Sequence, residues 1–319
     1  MAFLAGIDEA GYGPFVGPFT VGFSVFRVQN PEQDLWEVLS TSTAPKPDRK
    51  DLRRLWLNDS KKVHQGPHGR KRLGRTVSAF RELGQKSDFS LDHWVTESPA
   101  GDARSLHQAP WFQQLLGDLV PEITHDRARL DAASVRRDLE EHGCALTGFG
   151  ARAVPAGEWN QLLANTGGKG HANFAITMQA VRHIMSLTGD APLRIELDRQ
   201  GGRQRYAEPL RRALEPQLIK THGEEPSGST YSLEFENREV QVRFSEGADR
   251  KHLPVALGSL AAKQTRERMM DLFNAWWAEK LPDVKPTKGY GVDGKRWLAE
   301  VMPQLESIGI PAAMLKRDR

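Results

Sequence analysis

The chain has a single cysteine, Cys144, among 319 residues. An intrachain disulfide framework and a cysteine-based zinc cluster are therefore excluded, and a reducing, cytoplasmic setting is expected. Long apolar runs are missing as well. The longest uncharged stretch, Gly11 to Phe26, is broken by Pro14, Pro18 and several glycines and is unsuited to spanning a membrane. No basic segment precedes an apolar one at the N-terminus, so no signal peptide is expected. Charge of one sign is scarce too. Lys and Arg number 44 against 41 Asp and Glu, a net +3 that rules out a histone-like polycation. No internal repeat or G-x-S-x-G nucleophile elbow is present. Gly167-Gly168-Lys169-Gly170 lacks the Ser or Thr that follows the lysine of a phosphate loop.

What is present reads as a soluble globular chain, 39% hydrophobic and 27% charged, long enough for one large domain or two ordinary ones. Phe3 to Ile7 and Thr20 to Phe26 are predicted strands. Asn30-Pro31 is expected to open a short helix through Leu39, and Ser40 to Lys50 reads as a linker. Helices are expected over Arg70 to Gln85, Ala103 to Val120 and Asp131 to His142. Lys169 to Leu187 places Phe174, Met178, Val181 and Met185 on one helical face. Leu193 to Leu197 is a short strand ending at Asp198, and Gln204 to Leu214 is helical. Leu218 to Thr221 is extended, and Thr230 to Phe235 pairs with Glu239 to Phe244 as a hairpin. Ser259 to Glu279 forms a long helix. The alternation predicts an α/β fold with a mixed central sheet flanked by helices. Residues 1–65 and 157–319 are expected to form the core, with 66–156 a mostly helical inserted elaboration.

Asp8 and Glu9 follow an apolar strand and precede Gly11-Tyr12-Gly13-Pro14, where the chain turns at a sheet's end. Asp198 ends a strand, and Asp249 lies between a strand and a helix. Each alone reads as a solvated turn or a helix cap. Together, converging, they form a carboxylate cluster suited to the hard cations Mg²⁺ or Mn²⁺ and not to zinc. The chemistry then expected is two-metal phosphodiester hydrolysis, with cations about 3.5–4 Å apart. Four like charges in one place should also raise at least one carboxyl pKa.

These residues resemble the motifs of type 2 ribonuclease H, the ribonuclease HII/HIII family. Gly6-Ile7-Asp8-Glu9-Ala10-Gly11-Tyr12-Gly13-Pro14, with Gly17-Pro18, is similar to its opening motif. Leu57-Asn58-Asp59-Ser60-Lys61-Lys62 resembles its Asp-Ser-Lys element. Asp198, after an Asn-containing helix (Asn173), resembles its third acid. Ala248-Asp249 with Ser259, Ala262-Lys263 and Arg266 resembles the segment of the fourth, and Lys288-Gly289-Tyr290-Gly291-Val292-Asp293 its Gly-Tyr-x-x-Asp element. Tyr12 stands where the family usually has Arg or Thr.

The resemblance implies a ribonuclease H-like fold, catalysis and metal binding by Asp8, Glu9, Asp198 and Asp249, and two divalent cations. It implies substrate contacts from Gly11, Tyr12, Gly13, Ser60, Lys61, Lys62, Ser259, Lys263 and Tyr290. The backbone of Gly11 to Gly13 would read the 2′-hydroxyl, with Tyr290 against the adjacent sugar. The implied partner is an RNA–DNA hybrid or duplex DNA containing ribonucleotides, acted on by a monomer, with no membrane. The alternatives are a non-catalytic hybrid-binding protein and a nuclease for another structured nucleic acid. Phosphate contacts are expected from two basic runs, residues 61–76 at net +6 and 199–220 at net +4.

Overall fold

The structure, a computed structural model, describes residues 1–46, 51, 53–84, 88–97 and 104–318. Seven strands form one sheet: β1 Ala2–Ala10, β2 Phe19–Val28, β3 Ala145–Val154, β4 Leu193–Asp198, β5 Leu218–Glu225, β6 Gly228–Glu234 and β7 Glu239–Ser245. Their spatial order is β3-β2-β1-β4-β7-β6-β5. β1 runs parallel to β4, and β4 to β7, while the remaining neighbours are antiparallel. The expected mixed sheet is therefore present. The longer helices are α1 Gly69–Leu83, α2 His125–Glu141, α3 Ala156–Thr166, α4 Lys169–Thr188, α5 Ala207–Leu214, α6 Leu253–Lys280 and α7 Gly291–Val301.

β2 is buried along nearly its whole length, because helices cover both faces of the sheet at its centre. On one face Ile7, Phe23, Val25, Ile195 and Leu197 pack with Ile176, Val181 and Ile184 of α4. On the other, Leu4, Phe26 and Val28 meet Leu253, Leu257 and Leu260 of α6, with Leu73, Val77 and Phe80 of α1 in the same core. α6 lies directly on strand backbone. A Cβ at Gly6 would fall 2.1 Å from the Val255 nitrogen, and one at Gly22 would fall 2.1 Å from the Gly258 oxygen. The two strand glycines let the helix in, which carries Ser259 towards the end of β1.

Several sequence expectations change. Ala145–Val154, counted in the elaboration, is the edge strand β3 of the central sheet, paired with β2. The helix expected from Asn30 is confined to Leu35–Val38, because Asp34 takes the N-cap and accepts from the Trp36 amide. Ala103 to Val120 is not one helix. It holds a turn of helix at Arg104–His107 and a 3₁₀ turn at Pro110–Phe112, where Pro110 interrupts α-helical bonding. Ala103, Gln85 and residues 47–50 of the expected linker lie outside the described residues, as does Arg319. α6 begins at Leu253, six residues ahead of expectation, since Leu253 to Ala262 is buried all round and shows no polar face. Among the described residues, no helix is long and apolar enough to cross a membrane.

Candidate active site

β1 and β4 lie side by side in parallel with Ile7 opposite Leu197, so Asp8 and Asp198 leave the same end of the sheet. Gly247, at φ +62°, turns the chain between β7 and the short helix Ala248–Lys251, which carries Asp249. The Ala248 amide donates to Asp198 Oδ1 at 3.0 Å, tying that turn to the end of β4. The Glu9 amide donates to Asp8 Oδ1 at 2.8 Å. Asn173 of α4, 2% exposed, donates to Glu9 Oε1 at 3.4 Å. Asn173 is supported in turn: Thr177 Oγ1 donates to its carbonyl at 2.9 Å, and Gln200 Nε2 donates to Thr177 Oγ1 at 2.7 Å.

The charges of the acids act on one another. Burial, then Glu9 and Asp198, hold the Asp8 carboxyl well above the usual range, against hydrogen bonds from Ser259 and the Glu9 amide. Burial and the Asp198 charge push Glu9 up to about 7, opposed by Asn173 and Lys61. Asp198 is raised by burial, against the amides of Ala248, Gly247 and Arg199 and against Lys61. Burial, then Asp59 and Asp198, raise Asp249, opposed by Arg250 and Lys61. Asp198 is thus the hub of the cluster, and Lys61 is the cation common to Glu9, Asp198 and Asp249. Asp59, which caps the short helix Ser60–Val63, is a further acid beside Asp249.

Among the described residues, no three His, Cys, Asp or Glu side chains are already set around a metal position. The donor chemistry nevertheless fits a hard divalent cation. The ligating atoms on offer are carboxylate oxygens with one neighbouring amide, and their pKa values are raised first by burial and, for Asp8, Glu9 and Asp249, by neighbouring acids as well.

The other predicted site residues divide into those at the acids and those beneath them. Ser60 and Ser259 are 7% and 3% exposed, with hydroxyls 3.0 Å apart, and Ser259 also hydrogen-bonds Asp8. Both hydroxyls are buried beside the Asp8 carboxyl and hydrogen-bonded to one another. Lys62 is exposed on the same turn as Lys61. Lys263 is ion-paired with Glu267 at 2.7 Å, so its ammonium is already engaged by a neighbour on its own helix. Gly11 adopts φ +84°, and a Cβ there would fall 2.6 Å from Arg266 Nε, while Gly13 is exposed with open space at its Cβ position. Tyr12 turns inward, its ring 6.4 Å from those of Phe19 and Trp159, with Lys169 Nζ 4.2 Å from its centroid. Tyr290, 39% exposed, caps α7.

Two buried arginines that sequence reasoning did not assign to the site brace its loops, Arg317 the glycine loop and Arg266 the segment before Tyr290. Arg317 Nη2 donates to the carbonyls of Gly11 at 2.5 Å and Pro14 at 2.7 Å. Arg266 Nη2 donates to Lys288 O at 3.1 Å. Arg266 was legible as part of a motif, whereas Arg317 had no signal. Asp59 and Asn173 were quoted in motifs without a role. The arginines of the basic run 61–76 are engaged within the protein, while its lysines are exposed: Arg70 pairs with Asp271 and Glu122, Arg72 lies 4.5 Å from the Trp56 ring centroid, and Arg75 Nε donates to Asp131 at 2.7 Å. In the second run Arg199, Arg212 and Lys220 pair with Glu246, Glu208 and Glu234.

No protein-family model matches the sequence, and no curated protein matches it. Among solved structures, the chain is similar to RNase HII of Archaeoglobus fulgidus, solved as a PCNA:RNase HII complex. The identity is 16% over 99% of this chain and 94% of that one, at a TM-score of 0.42. It is similar also to ribonuclease H2 of Pyrococcus horikoshii OT3, at 16% identity over 98% and 92% of the two chains and a TM-score of 0.41. A third similar structure is a variant of Bst-RNase HIII, at 13% identity over 99% of this chain and 66% of that one, with a TM-score of 0.47.

Proposed function

We propose that this chain is a divalent-metal-dependent endonuclease of the type 2 ribonuclease H kind, hydrolysing the RNA strand of RNA–DNA hybrids or ribonucleotides embedded in duplex DNA. The observation that supports it most is the electrostatic coupling of Asp8, Glu9, Asp198 and Asp249, from three separated parts of the chain, with Glu9 held near 7. A binding module for nucleic acid gains nothing from an anionic cluster at its phosphate face. Tyr12 packs back against Phe19 and Trp159, which disfavours the reading in which it obstructs the groove.

In this proposal Asp8, Glu9, Asp198 and Asp249 hold Mg²⁺ or Mn²⁺. When bound, the cations supply a nucleophilic hydroxide and stabilise charge on the leaving oxygen. The chain's own residues do the rest. Asn173 fixes the Glu9 carboxylate, and Ser259 fixes that of Asp8. Lys61 offsets charge beside Glu9, Asp198 and Asp249 and meets the incoming phosphate. The backbone of Gly11 to Gly13, held in place through Arg317, takes the 2′-hydroxyl that separates RNA from DNA.

The test is incubation of the purified protein with Mg²⁺ or Mn²⁺ and four substrates: hybrid, duplex DNA with one ribonucleotide, plain DNA and plain RNA. Cleavage confined to ribonucleotides within a duplex is expected. Cleavage of none of the four, or equal cleavage of plain DNA, overturns the proposal.

A further inference from the structure

Next to the acids, the sheet carries a second polar surface. α6 packs on β1, β2 and β3. Beyond it, β7, β6 and β5 line an open cavity of about 530 Å³ together with the short helix that bears Asp249. Arg243, Ser245, Thr230, His222, Lys251 and His252 contribute to its wall, with Glu225 its one carboxylate. Ser245 is 5% exposed, and its hydroxyl has no hydrogen-bond partner among the described residues. A buried hydroxyl without a partner costs stability unless something binds it. Arg243 Nε donates to Thr230 Oγ1 at 3.3 Å, which orients the guanidinium over the sheet, and Nη1 stands 3.7 Å from Glu196.

The register fixes where this surface lies. Asp198 of β4 is directly opposite Ser245 of β7, and in a parallel pair their side chains share a face. Adjacent strands are about 4.8 Å apart, so the cavity starts one strand from the acid hub.

Resting on the nuclease reading above, we propose that this cavity is a phosphate subsite. It takes a phosphodiester of the cleaved strand next to the scissile one, through Arg243, Lys251 and the Ser245 hydroxyl. Arg243 supplies a planar set of donors and Lys251 a point charge, the combination that suits a backbone phosphate.

The test uses Arg243→Gln and Lys251→Gln, the second on an exposed side chain whose loss leaves folding intact. Substrates are an all-phosphate hybrid and hybrids in which each linkage flanking the cleaved one is in turn a neutral methylphosphonate. Each variant is expected to raise KM, and Kd measured by anisotropy in Ca²⁺, by about tenfold, with kcat within about twofold. The slope of log affinity against log salt should fall by about one. With one particular neutral linkage, wild type and variants should become equal. Unchanged Kd and salt slope in both variants, or a penalty that persists with every neutral linkage, overturns the subsite. Anisotropy needs no turnover, so loss of affinity in a protein that cleaves nothing would uphold the subsite while refuting the nuclease reading.

Discussion

The guanidinium of Arg266 lies 4.7 Å from the centroid of the Tyr290 ring while donating to the carbonyl of Lys288, two residues earlier. At 1% exposure it is a buried cation held by an aromatic face and backbone oxygens, and burial lowers its pKa. It joins α6 to the loop that presents Tyr290. Arg266→Lys keeps the charge but loses the planar stack, worth about 1–2 kcal/mol in a desolvated setting. The expected result is a lower Tm and a KM raised several-fold, with kcat nearly retained. A variant with wild-type KM would show that Tyr290 needs no support from Arg266.

Ser259 stabilises the ionised form of Asp8. Either serine hydroxyl can donate, and with Asp8 ionised the order runs from Ser60 to Ser259 to the carboxylate. Ser259→Ala therefore raises the Asp8 pKa further. In a pH–rate profile its acidic limb should move to higher pH by up to about one unit, the worth of one charge-assisted hydrogen bond. An unmoved limb contradicts this role.

The raised carboxyls also set a stability profile for the metal-free protein. A carboxyl whose folded pKa exceeds its unfolded value leaves the fold unpenalised at low pH. It destabilises the fold progressively as pH rises between the two values. For Glu9 that window runs from 4.5 to about 7, and the loss is on the order of 3 kcal/mol. Thermal unfolding in EDTA should show Tm falling across this range, and the Tm gained on adding Mg²⁺ should grow with pH. A gain independent of pH would mean that the cation binds elsewhere.

Arg75 separates internal from external use of the basic run. Its partner Asp131 is 5% exposed and also pairs with Arg127. Arg75→Gln is expected to cost about 1–3 kcal/mol in urea unfolding, while hybrid affinity and its salt slope stay as in wild type. Lost affinity at unchanged stability would return Arg75 to the nucleic-acid surface.

Asp8, Glu9 and Asp198 stood out in the sequence because each closes an apolar strand, and Asp249 because it lies between a strand and a helix. The alternation of strands and helices indicated the mixed sheet, while the parallel pairing that sets Asp8 and Asp198 at one end of it came from the structure. Pairings made across the chain were not legible. Arg70 with Asp271, Ser60 with Ser259, and Arg317 with the carbonyls of Gly11 and Pro14 join residues far apart in sequence, and local charge cannot distinguish an engaged arginine from a solvated one. β3 was hidden by Gly148, Gly150 and Arg152, which blur the strand pattern. The first turns of α6 were hidden by being apolar on every side.

The central claim is that Asp8 and its neighbouring acids hold the cations that cut the strand. The most direct measurement compares Mg²⁺-dependent hybrid cleavage by wild type and Asp8→Asn, a change that keeps shape and removes charge, with Tm followed in EDTA for both. The account predicts at least about a thousandfold loss of kcat in the variant, with a Tm in EDTA equal to or above that of wild type. Near-wild-type cleavage by Asp8→Asn would contradict it.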